Sequence, residues 1–204
     1  AGCKEAVSQS LGGSSCMRSR VLFATTNELK LSEARSVIPS VEGIPLDMPE
    51  IQSTDVAEVV QAKLEFVMKL ALEDPVIVED TGLYVKAWNG LPGAFIKWFI
   101  DGMTPDGFAA LVVQDHQGVE TDAVSAVGVV YRGETSVWTG KTRGRIVRAR
   151  GEERGWNSIF EESVCGRTFG ELNDSERLTL SMRRRPLEDV RSWLAERGIT
   201  IGAS

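Results

Sequence analysis

V-I-V-E-D-T-G-L-Y-V, residues Val76 to Val85, ends a β-branched apolar run with two adjacent carboxylates, Glu79 and Asp80. Such a run is typical of a strand buried in the core of a sheet. Charged carboxylates are costly in those surroundings unless a partner offsets the loss of hydration. A divalent cation or a polar catalytic cleft would provide that partner. The alternative is an exposed turn that begins at Glu79 and is completed by Thr81 and Gly82.

Length and composition predict one folded domain, with room for two lobes. The chain has 204 residues, of which 42% are hydrophobic and 25% charged, as in ordinary globular proteins. Its net charge of -6 argues against attachment to nucleic acid or to an anionic membrane, because both require a basic surface. A small anionic substrate is compatible with this charge, since local clusters of Lys and Arg can override the overall sign.

Cysteine usage and hydropathy indicate a soluble, cytoplasmic protein. Cys3, Cys16 and Cys165 lie far apart, without the close C-x-x-C spacing of zinc or redox sites. An odd number of cysteines at low density fits a reducing compartment. No apolar run approaches the roughly 20 residues of a membrane helix, and the first residues lack the apolar core of a signal peptide.

The start of the chain differs in composition from the rest. Residues 1 to 16 are small and polar, with a Gly-Gly-Ser-Ser patch, and are predicted to form a flexible N-terminal extension. Residues 17 to 204 are predicted to form a single two-lobed domain. The lone histidine, His116, lies in D-H-Q-G, which predicts a surface turn.

Alternating strand and helix signals predict an α/β domain with a mixed sheet. Arg132-Gly133-Glu134 is expected to join two long strands as a hairpin. Asp55 followed by Glu58 predicts a capping box at the start of a helix. Strands are predicted at residues 20–25, 43–46, 76–85, 121–131 and 135–142, and helices at 29–38, 56–71, 96–100, 104–113, 174–184 and 186–197.

The stretch A-T-T-N-E-L-K, residues 24 to 30, lies where the first strand turns into a helix. Backbone N–H groups at a helix N-terminus attract phosphate, and Thr26, Asn27 and Lys30 add a hydroxyl, an amide and a cation within one turn. The stretch therefore predicts a phosphate loop. The alternative is that Asn27 caps the helix and Lys30 lies on the surface.

Carboxylates and clustered cations suggest two further kinds of site. Glu50, together with Glu79 and Asp80, would provide three carboxylates, enough to hold one Mg²⁺ with water and phosphate oxygens; the alternative is that Glu50 is a solvated loop acid. Basic clusters predict anion sites, although alternating ones are often the solvated face of a strand. These clusters comprise Lys141, Arg143, Arg145, Arg148, Arg150, Arg183, Arg184 and Arg185.

A set of motifs in a fixed order carries a family resemblance. They are T-T-N-E-L-K, P-E before a helix with Lys63, V-E-D-T-G-L, G-L-P-G-A-F-I-K-W-F, G-K-T-R-G-R-I-V, R-G-W-N, and T-F-G-E-L ending in S-M-R. From about Val21 to Leu194 the chain resembles the inosine triphosphate pyrophosphatase family, which removes deaminated purine nucleotides. The resemblance implies a long curved mixed sheet with flanking helices, two lobes with a central cleft, and a homodimer.

The resemblance also implies roles for individual residues. Asp80 corresponds to the general base, and Glu50 and Glu79 to metal ligands, with Asp80 beside them. Lys30 and Lys63 are expected to assist catalysis by contacting phosphate. The expected substrate-binding residues are Thr26, Asn27, Lys30, Lys63, Thr81, Trp156, Asn157, Arg177, Ser181 and Arg183.

The chain departs from the family pattern in the half that reads the base. Arg154 precedes G-W-N-S where the family typically has an aromatic residue before G-W-D-P, so Asn157 replaces an acid. Met182 stands where the family usually has the His of S-H-R, and Arg177 replaces a lysine. Stacking and buried donors or acceptors are what reject a wrong base, so these changes affect the expected purine preference.

Together these observations predict Mg²⁺-dependent hydrolysis of a nucleoside triphosphate to the monophosphate and pyrophosphate, with Mn²⁺ as a possible substitute. Inosine and xanthosine triphosphates and their deoxy forms are the expected substrates. Asp80 would take a proton from water while Lys30 and Lys63 neutralise the phosphates. One alternative is the same chemistry on a different or modified base. Another is a nucleotide-binding protein without turnover.

Overall fold

The computed structural model describes residues 20–113 and 118–199. The predicted extension at residues 1 to 16 and the turn at His116 lie outside the described residues. The strands of the described part are β1 Val21–Ala24, β2 Val41–Ile44, β3 Val76–Val85, β4 Pro92–Gly93, β5 Val119–Tyr131, β6 Glu134–Ile146 and β7 Phe160–Glu162. Its α-helices are α1 Glu28–Val37, α2 Val56–Lys69, α3 Ile96–Val112, α4 Asp174–Leu180 and α5 Arg184–Glu196.

A mixed sheet organises the chain, as the sequence predicted. Its order is β2-β1-β3-β5-β6-β7, with the short β4 paired to β3. β1 runs parallel to β2 and β3, whereas β3, β5, β6 and β7 pair antiparallel in turn. Because β3 is central and covered on both faces, its near-continuous apolar sequence follows from its position.

Separate hydrophobic clusters cover the sheet. On one face Ile77 of β3 shares a cluster with Leu31 of α1. On the other face Val78 shares a cluster with Leu64 of α2. A third cluster, which includes Phe108 of α3, lies toward the end of β3. The helices α1 and α5 thus cover one face of the sheet and α2 covers the other, and a cleft lies between these helices and the start of α3.

The predicted hairpin is present and is longer than the sequence suggested. β5 and β6 pair along their full length, and only Arg132 and Gly133 connect them. Both residues have positive φ angles, 49° and 80°, as a two-residue turn of type I′ requires. This turn matches the right-handed twist of the flanking strands, so pairing begins directly at Tyr131 and Glu134.

The start of α2 differs from the prediction of a direct capping box. Asp55 does cap the helix, accepting a hydrogen bond from Ala57 N at 2.7 Å. Glu58 does not return to Asp55 N, so the predicted box is wrong. Instead, Ser53 Oγ accepts from Asp55 N at 3.0 Å and donates to Glu58 at 2.6 Å. The Ser53 hydroxyl thus bridges the Asp55 amide and the Glu58 carboxylate, which do not contact each other directly. A true capping box occurs at Asn173 and Glu176 of α4, where the sequence analysis did not expect one.

Two predicted helices change their boundaries at positions that shape the cleft. α3 is interrupted at Thr104, with φ 65° and ψ 162°, directly before Pro105, so the two predicted helical segments are both present. The helix predicted at residues 174–184 ends instead at Leu180, and α5 begins at Arg184. Residues 181–183 therefore form a turn rather than helix.

Within the described ranges, no helix is long and apolar enough to cross a membrane.

Gly140 of β6 packs against the turn that follows α4. A Cβ atom there would overlap the carbonyl oxygen of Met182 and lie 2.7 Å from Pro186 Cδ. We expect Gly140→Ala to lower the free energy of unfolding by about 1–3 kcal/mol, because backbone cannot yield as a side chain can. Urea denaturation would measure this. Gly102→Ala, in a helical position with no neighbour within 4 Å, is the control and should be neutral or stabilising. Equal stabilities for the two variants would contradict the packing argument.

Candidate active site

Two adjoining cavities lie in the cleft. We call the larger, about 1170 Å³, the charged cavity; its lining includes Thr26, Glu50, Lys63, Glu79 and Asp80. We call the other, about 630 Å³, the aromatic cavity; its lining includes Trp156, Asn157, Arg177, Met182 and Arg183. Asn27, Lys30, Thr81 and Lys97 line both. Every residue predicted for the site lines one of them, with the exception of Ser181.

The turn between β1 and α1 forms one wall of both cavities. Asn27 Oδ1 accepts hydrogen bonds from Leu29 N at 3.0 Å and Lys30 N at 3.2 Å, so its side chain caps the helix. The capping alternative therefore holds for Asn27. The surface alternative does not hold for Lys30, because its side chain is only 21% exposed and lies in the cleft. The helix N-terminus and the Lys30 cation together give this wall a positive character.

Glu79 and Asp80 project from opposite faces of β3, because side chains alternate along a strand. Glu79 lies on the face of Ser125, whose hydroxyl donates to it at 2.7 Å. Asp80 lies on the face covered by α2 and accepts from Lys63 Nζ at 2.9 Å. The two carboxylates are neighbours in sequence, yet they belong to different sets of contacts.

Glu79 is fixed by several donors. Its Oε1 accepts from Arg183 Nε at 2.8 Å and also from the hydroxyls of Thr81 and Ser125. Its Oε2 has the Lys30 ammonium 2.5 Å away as an ion-pair partner, but accepts no well-directed hydrogen bond in the described residues. Burial alone would raise the pKa of Glu79, but Lys30 and Arg183 outweigh it and hold the pKa well below its usual range. The carboxylate is therefore ionised at neutral pH.

Asp80 is in a different electrostatic position. Burial raises the pKa of Asp80 above its ordinary value, against the opposing fields of Lys63 and Lys30. Lys63 also lies 3.8 Å from Glu50 Oε1 and donates to the backbone oxygen of Glu79 at 3.4 Å. Lys63 lies on the buried side of α2 and is 5% exposed. Asp80 thus combines a raised proton affinity with a position in the charged cavity.

The resemblance implies a divalent metal, and the chemistry of the donor set fits one. Glu50, Glu79 and Asp80 line one cavity and offer hard oxygen atoms, and two of them already face the positive charge of Lys63. Within residues 20–113 and 118–199, no three His, Cys, Asp or Glu side chains form a ready-made cage. The arrangement suits Mg²⁺ or Mn²⁺, which commonly take several oxygens from water and substrate phosphates.

Packed rings form the floor of the aromatic cavity. Trp156 lies edge-on to Phe160, with ring centroids 5.6 Å apart, and 6.1 Å from Phe169. Phe160 and Phe169 are buried and line up behind Trp156, so the indole has little freedom to move. A fixed indole at the edge of a cavity is suited to stacking on a planar base.

Side chains with donors surround Met182 in the same cavity. Arg177 is buried, pairs with Asp174 and donates to Leu172 O at 3.4 Å. Arg183 is buried as well; Glu79 and Glu33 raise its pKa above the ordinary value, although burial alone would lower it. Met182 is 3% exposed and contributes an apolar thioether at the position where the family usually has a hydrogen-bonding imidazole.

Sequence reasoning missed Glu33 and Lys97. Glu33 of α1 is 3% exposed, accepts from Ser181 Oγ at 2.6 Å, and pairs with Arg183 Nη1 at 3.2 Å. Ser181 therefore reaches the site through Glu33 and does not line either cavity. A charged residue on the buried stripe of α1, beside Leu31, Ala34 and Val37, was the available signal. Lys97, in I-K-W-F, lines both cavities but gave no separate signal.

Comparison with known proteins identifies the family. The profile of the Ham1 family matches residues 21–193. The chain belongs to the Ham1 family. This confirms the resemblance carried by the motifs.

Individual relatives cover almost the whole chain. It is 35% identical over 192 residues to the inosine triphosphate pyrophosphatase of Kluyveromyces lactis, covering 88% of this chain and 97% of that protein. It is 35% identical over 181 residues to the dITP/XTP pyrophosphatase of Methanopyrus kandleri, covering 85% and 95%. The Staphylococcus aureus Ham1 protein has the same fold, with a TM-score of 0.73 at 23% identity over 87% of this chain and 99% of that one.

Removal of the Arg183 charge should test how much the buried network stabilises the protein. Arg183→Met would leave Glu33 and Glu79 buried without their shared cation, so we expect a loss of about 3–5 kcal/mol in unfolding free energy. Urea denaturation at neutral pH would measure it. Arg184→Met is the matched control. Among the described residues this half-exposed arginine forms an ion pair only with Glu188, so a change of at most about 0.5 kcal/mol is expected. Similar losses in both variants would show that the buried network has no special role.

Proposed function

We propose that this Ham1-family protein is a Mg²⁺-dependent nucleoside triphosphate pyrophosphohydrolase, which converts a nucleoside triphosphate and water to the monophosphate and pyrophosphate. The observation that carries the proposal is the junction of the two cavities at Asn27, Lys30, Thr81 and Lys97. A charged space with lysines and carboxylates opens there into a space walled by rings and arginines. This division matches a ligand with a polyanionic end and a planar aromatic end.

Asp80 is proposed as the general base. It would accept a proton from a water molecule whose oxygen attacks the α-phosphorus, and the bond from the α-phosphorus to the bridging oxygen would break to release pyrophosphate. The raised pKa of Asp80 supports this role, because a base with higher proton affinity accepts a proton more readily. The pairing with Lys63 at 2.9 Å keeps the carboxylate oriented in the absence of substrate.

Cations around Asp80 would balance the charge of the substrate. Lys30, Lys63 and Lys97 all line the charged cavity, and the N-terminus of α1 adds backbone donors. Glu50, Glu79 and Asp80 would hold the divalent ion, which when bound polarises the phosphates and neutralises the developing negative charge. Lys30 and Lys63 pair with these carboxylates in the structure, and both lysines line the charged cavity in which the phosphates would bind.

Deaminated purine nucleotides, such as inosine and xanthosine triphosphates and their deoxy forms, are the proposed substrates. Two relatives are named for inosine triphosphate and for dITP and XTP, and this supports the same substrate class here. Trp156 is placed to stack on a base, and Arg183 lies in the same cavity as a donor for a base carbonyl. The homodimer and the cytoplasmic location implied earlier belong to this proposal as well.

A second candidate keeps the chemistry and changes the base. Met182 and Arg154 line the aromatic cavity in place of an imidazole and an aromatic ring, and Arg154 is exposed and paired with Glu152 at 2.9 Å. A thioether adapts its shape but provides no strong donor. These two residues favour a looser choice of base than the family resemblance implies.

The function itself is tested by measuring pyrophosphate release from a panel of nucleoside triphosphates, with Asp80→Asn beside the wild type. The wild type should release pyrophosphate most efficiently from deaminated purine nucleotides. Asp80→Asn conserves shape but removes the proton acceptor, so its rate should fall by about 10²-fold or more. Asp189→Asn, on the outer surface of α5, is the control and should retain the wild-type rate. Wild-type turnover by Asp80→Asn would remove Asp80 from the mechanism.

Metal removal should abolish activity. The ligands proposed are carboxylates, and neither His nor Cys is among the described residues that line the charged cavity. We therefore expect EDTA to stop pyrophosphate release, Mg²⁺ or Mn²⁺ to restore it, and a zinc-selective chelator to have no effect. Full activity in metal-free buffer would contradict the proposed ion.

Base selection can be tested by restoring the typical family residues. The double variant Met182→His with Arg154→Phe should raise the ratio of kcat/KM for inosine over adenosine triphosphate. Each recovered polar contact contributes on the order of 1 kcal/mol, or several-fold. The matched control is Met68→His, a half-exposed methionine of α2 outside both cavities. A wild-type protein that already prefers inosine triphosphate a hundredfold would refute the idea that these residues loosen selection.

A further inference from the structure

The Tyr84 hydroxyl joins β3 to the segment that enters α2. It donates to Thr54 O at 3.0 Å and accepts from Val56 N at 3.0 Å. The Val56 amide is in the first turn of α2, where backbone donors have no acceptor within the helix. Tyr84 lies four residues beyond Asp80 and on the same face of β3, because side chains repeat every two residues along a strand. One hydroxyl thus connects the strand of Asp80 to the start of the helix that carries Lys63.

The same hydroxyl anchors the segment that carries Glu50. Residues 45–55 connect β2 to α2, and several of them line the charged cavity. The Glu50 side chain is 52% exposed, and its recorded contact is Lys63 at 3.8 Å. Among the described residues no hydrogen bond holds its carboxylate, so the position of Glu50 depends on how its backbone is held.

Thr54 is where that backbone is held most firmly. Its carbonyl oxygen accepts from both the Tyr84 hydroxyl and Ala94 N, the latter at 2.9 Å. Gly93 packs so closely that a Cβ atom there would overlap the same oxygen. Burial raises the pKa of Tyr84, so the hydroxyl remains a donor throughout the neutral range.

We propose that Tyr84 is a positioning residue for the metal site. Through Thr54 it sets where Glu50 lies, and through Val56 it sets how α2 brings Lys63 to Asp80. It touches neither substrate nor metal, and its effect is transmitted by the backbone of residues 47–55. The inference rests on the metal site of the proposed function.

Tyr84→Phe is the test, because it keeps the ring and removes only the hydroxyl. The chain has two tyrosines, and Tyr131→Phe is the matched control, since no hydrogen bond of the Tyr131 hydroxyl is recorded in the described part of the chain. Binding of Mn²⁺ alone would be followed by electron paramagnetic resonance, and exchange of the Val56 amide by hydrogen–deuterium exchange. Neither measurement depends on turnover.

In Tyr84→Phe we expect Mn²⁺ to bind about tenfold more weakly, as for the loss of an outer-shell contact. The Val56 amide should exchange faster, the Mg²⁺ concentration for half-maximal rate should rise, and Tm should change little. Tyr131→Phe should match the wild type in all four. Unchanged Mn²⁺ affinity in Tyr84→Phe, or the same weakening in Tyr131→Phe, would overturn the inference.

A second variant covers the case in which Tyr84→Phe does not fold. Ser53→Ala removes the exposed contact to Glu58 and the acceptor of Asp55 N, and so loosens the same segment without touching the core. It should also weaken Mn²⁺ binding, and wild-type affinity there would overturn the claim that residues 47–55 transmit the effect of Tyr84. A wild type that binds Mn²⁺ but releases no pyrophosphate would refute the proposed function while leaving the positioning role in place. A wild type that binds no Mn²⁺ would refute both the proposed metal site and this inference.

Discussion

The buried ion pair between Glu79 and Arg183 connects the central strand to the turn before the last helix, across 104 positions of sequence. Two charges of opposite sign inside a protein are stable together only when their remaining donors and acceptors are satisfied. Here Thr81, Ser125 and Glu33 satisfy most of them. The pair therefore requires β3, β5, α1 and the 181–183 turn to be in place at once, and the aromatic cavity exists only when they are.

The alternation of side chains along β3 gives Glu79 and Asp80 separate sets of contacts, although both line the charged cavity. Glu79 faces the arginine and is held by donors, so it stays charged and immobile. Asp80, on the opposite face, has one strong partner in Lys63 and a pKa raised by burial. The pKa values of adjacent residues in a strand can thus shift in opposite directions, because each face of a sheet has its own surroundings. The E-D pair owes its two proposed roles to this geometry.

Much of the fold could be predicted because local signals agreed with the tertiary structure. The apolar run of β3 and the Arg132-Gly133 turn each specify their element through short-range physics. β7 escaped prediction because its three residues are too few to show a pattern. Its pairing to β6 also explains why that strand runs on to Ile146. The relay through Ser53 depends on how one side chain is oriented, which no spacing rule describes.

The residues that line the site could be predicted from the sequence, whereas the contacts that hold them in place were harder to predict. Motif order indicated the residues that line the cavities, since these are the residues that the proposed chemistry uses directly. Glu33, Ser125 and Tyr84 act on other side chains or on backbone. The place of Glu33 on the buried stripe of α1 was its one signal, and nothing in the sequence around Ser125 or Tyr84 requires them. Ser181 shows the difference: its motif position suggested direct contact, whereas its hydroxyl contacts Glu33 and the Arg183 amide and lines neither cavity.

The residues proposed to act on the phosphates and those proposed to contact the base differ in how they are held. Lys30, Lys63, Glu79 and Asp80 lie on α1, α2 and β3 and are joined by ion pairs, whereas Glu50 lies on the segment between β2 and α2. In the aromatic cavity, residues 154–157 together with Met182 and Arg183 lie outside regular strands and long helices. A different side chain at position 182 changes the shape and the hydrogen-bond donors of the aromatic cavity, because Met182 lines it, and leaves Glu79, Asp80 and Lys63 in place. A site divided in this way can alter its choice of base while its phosphate chemistry stays the same.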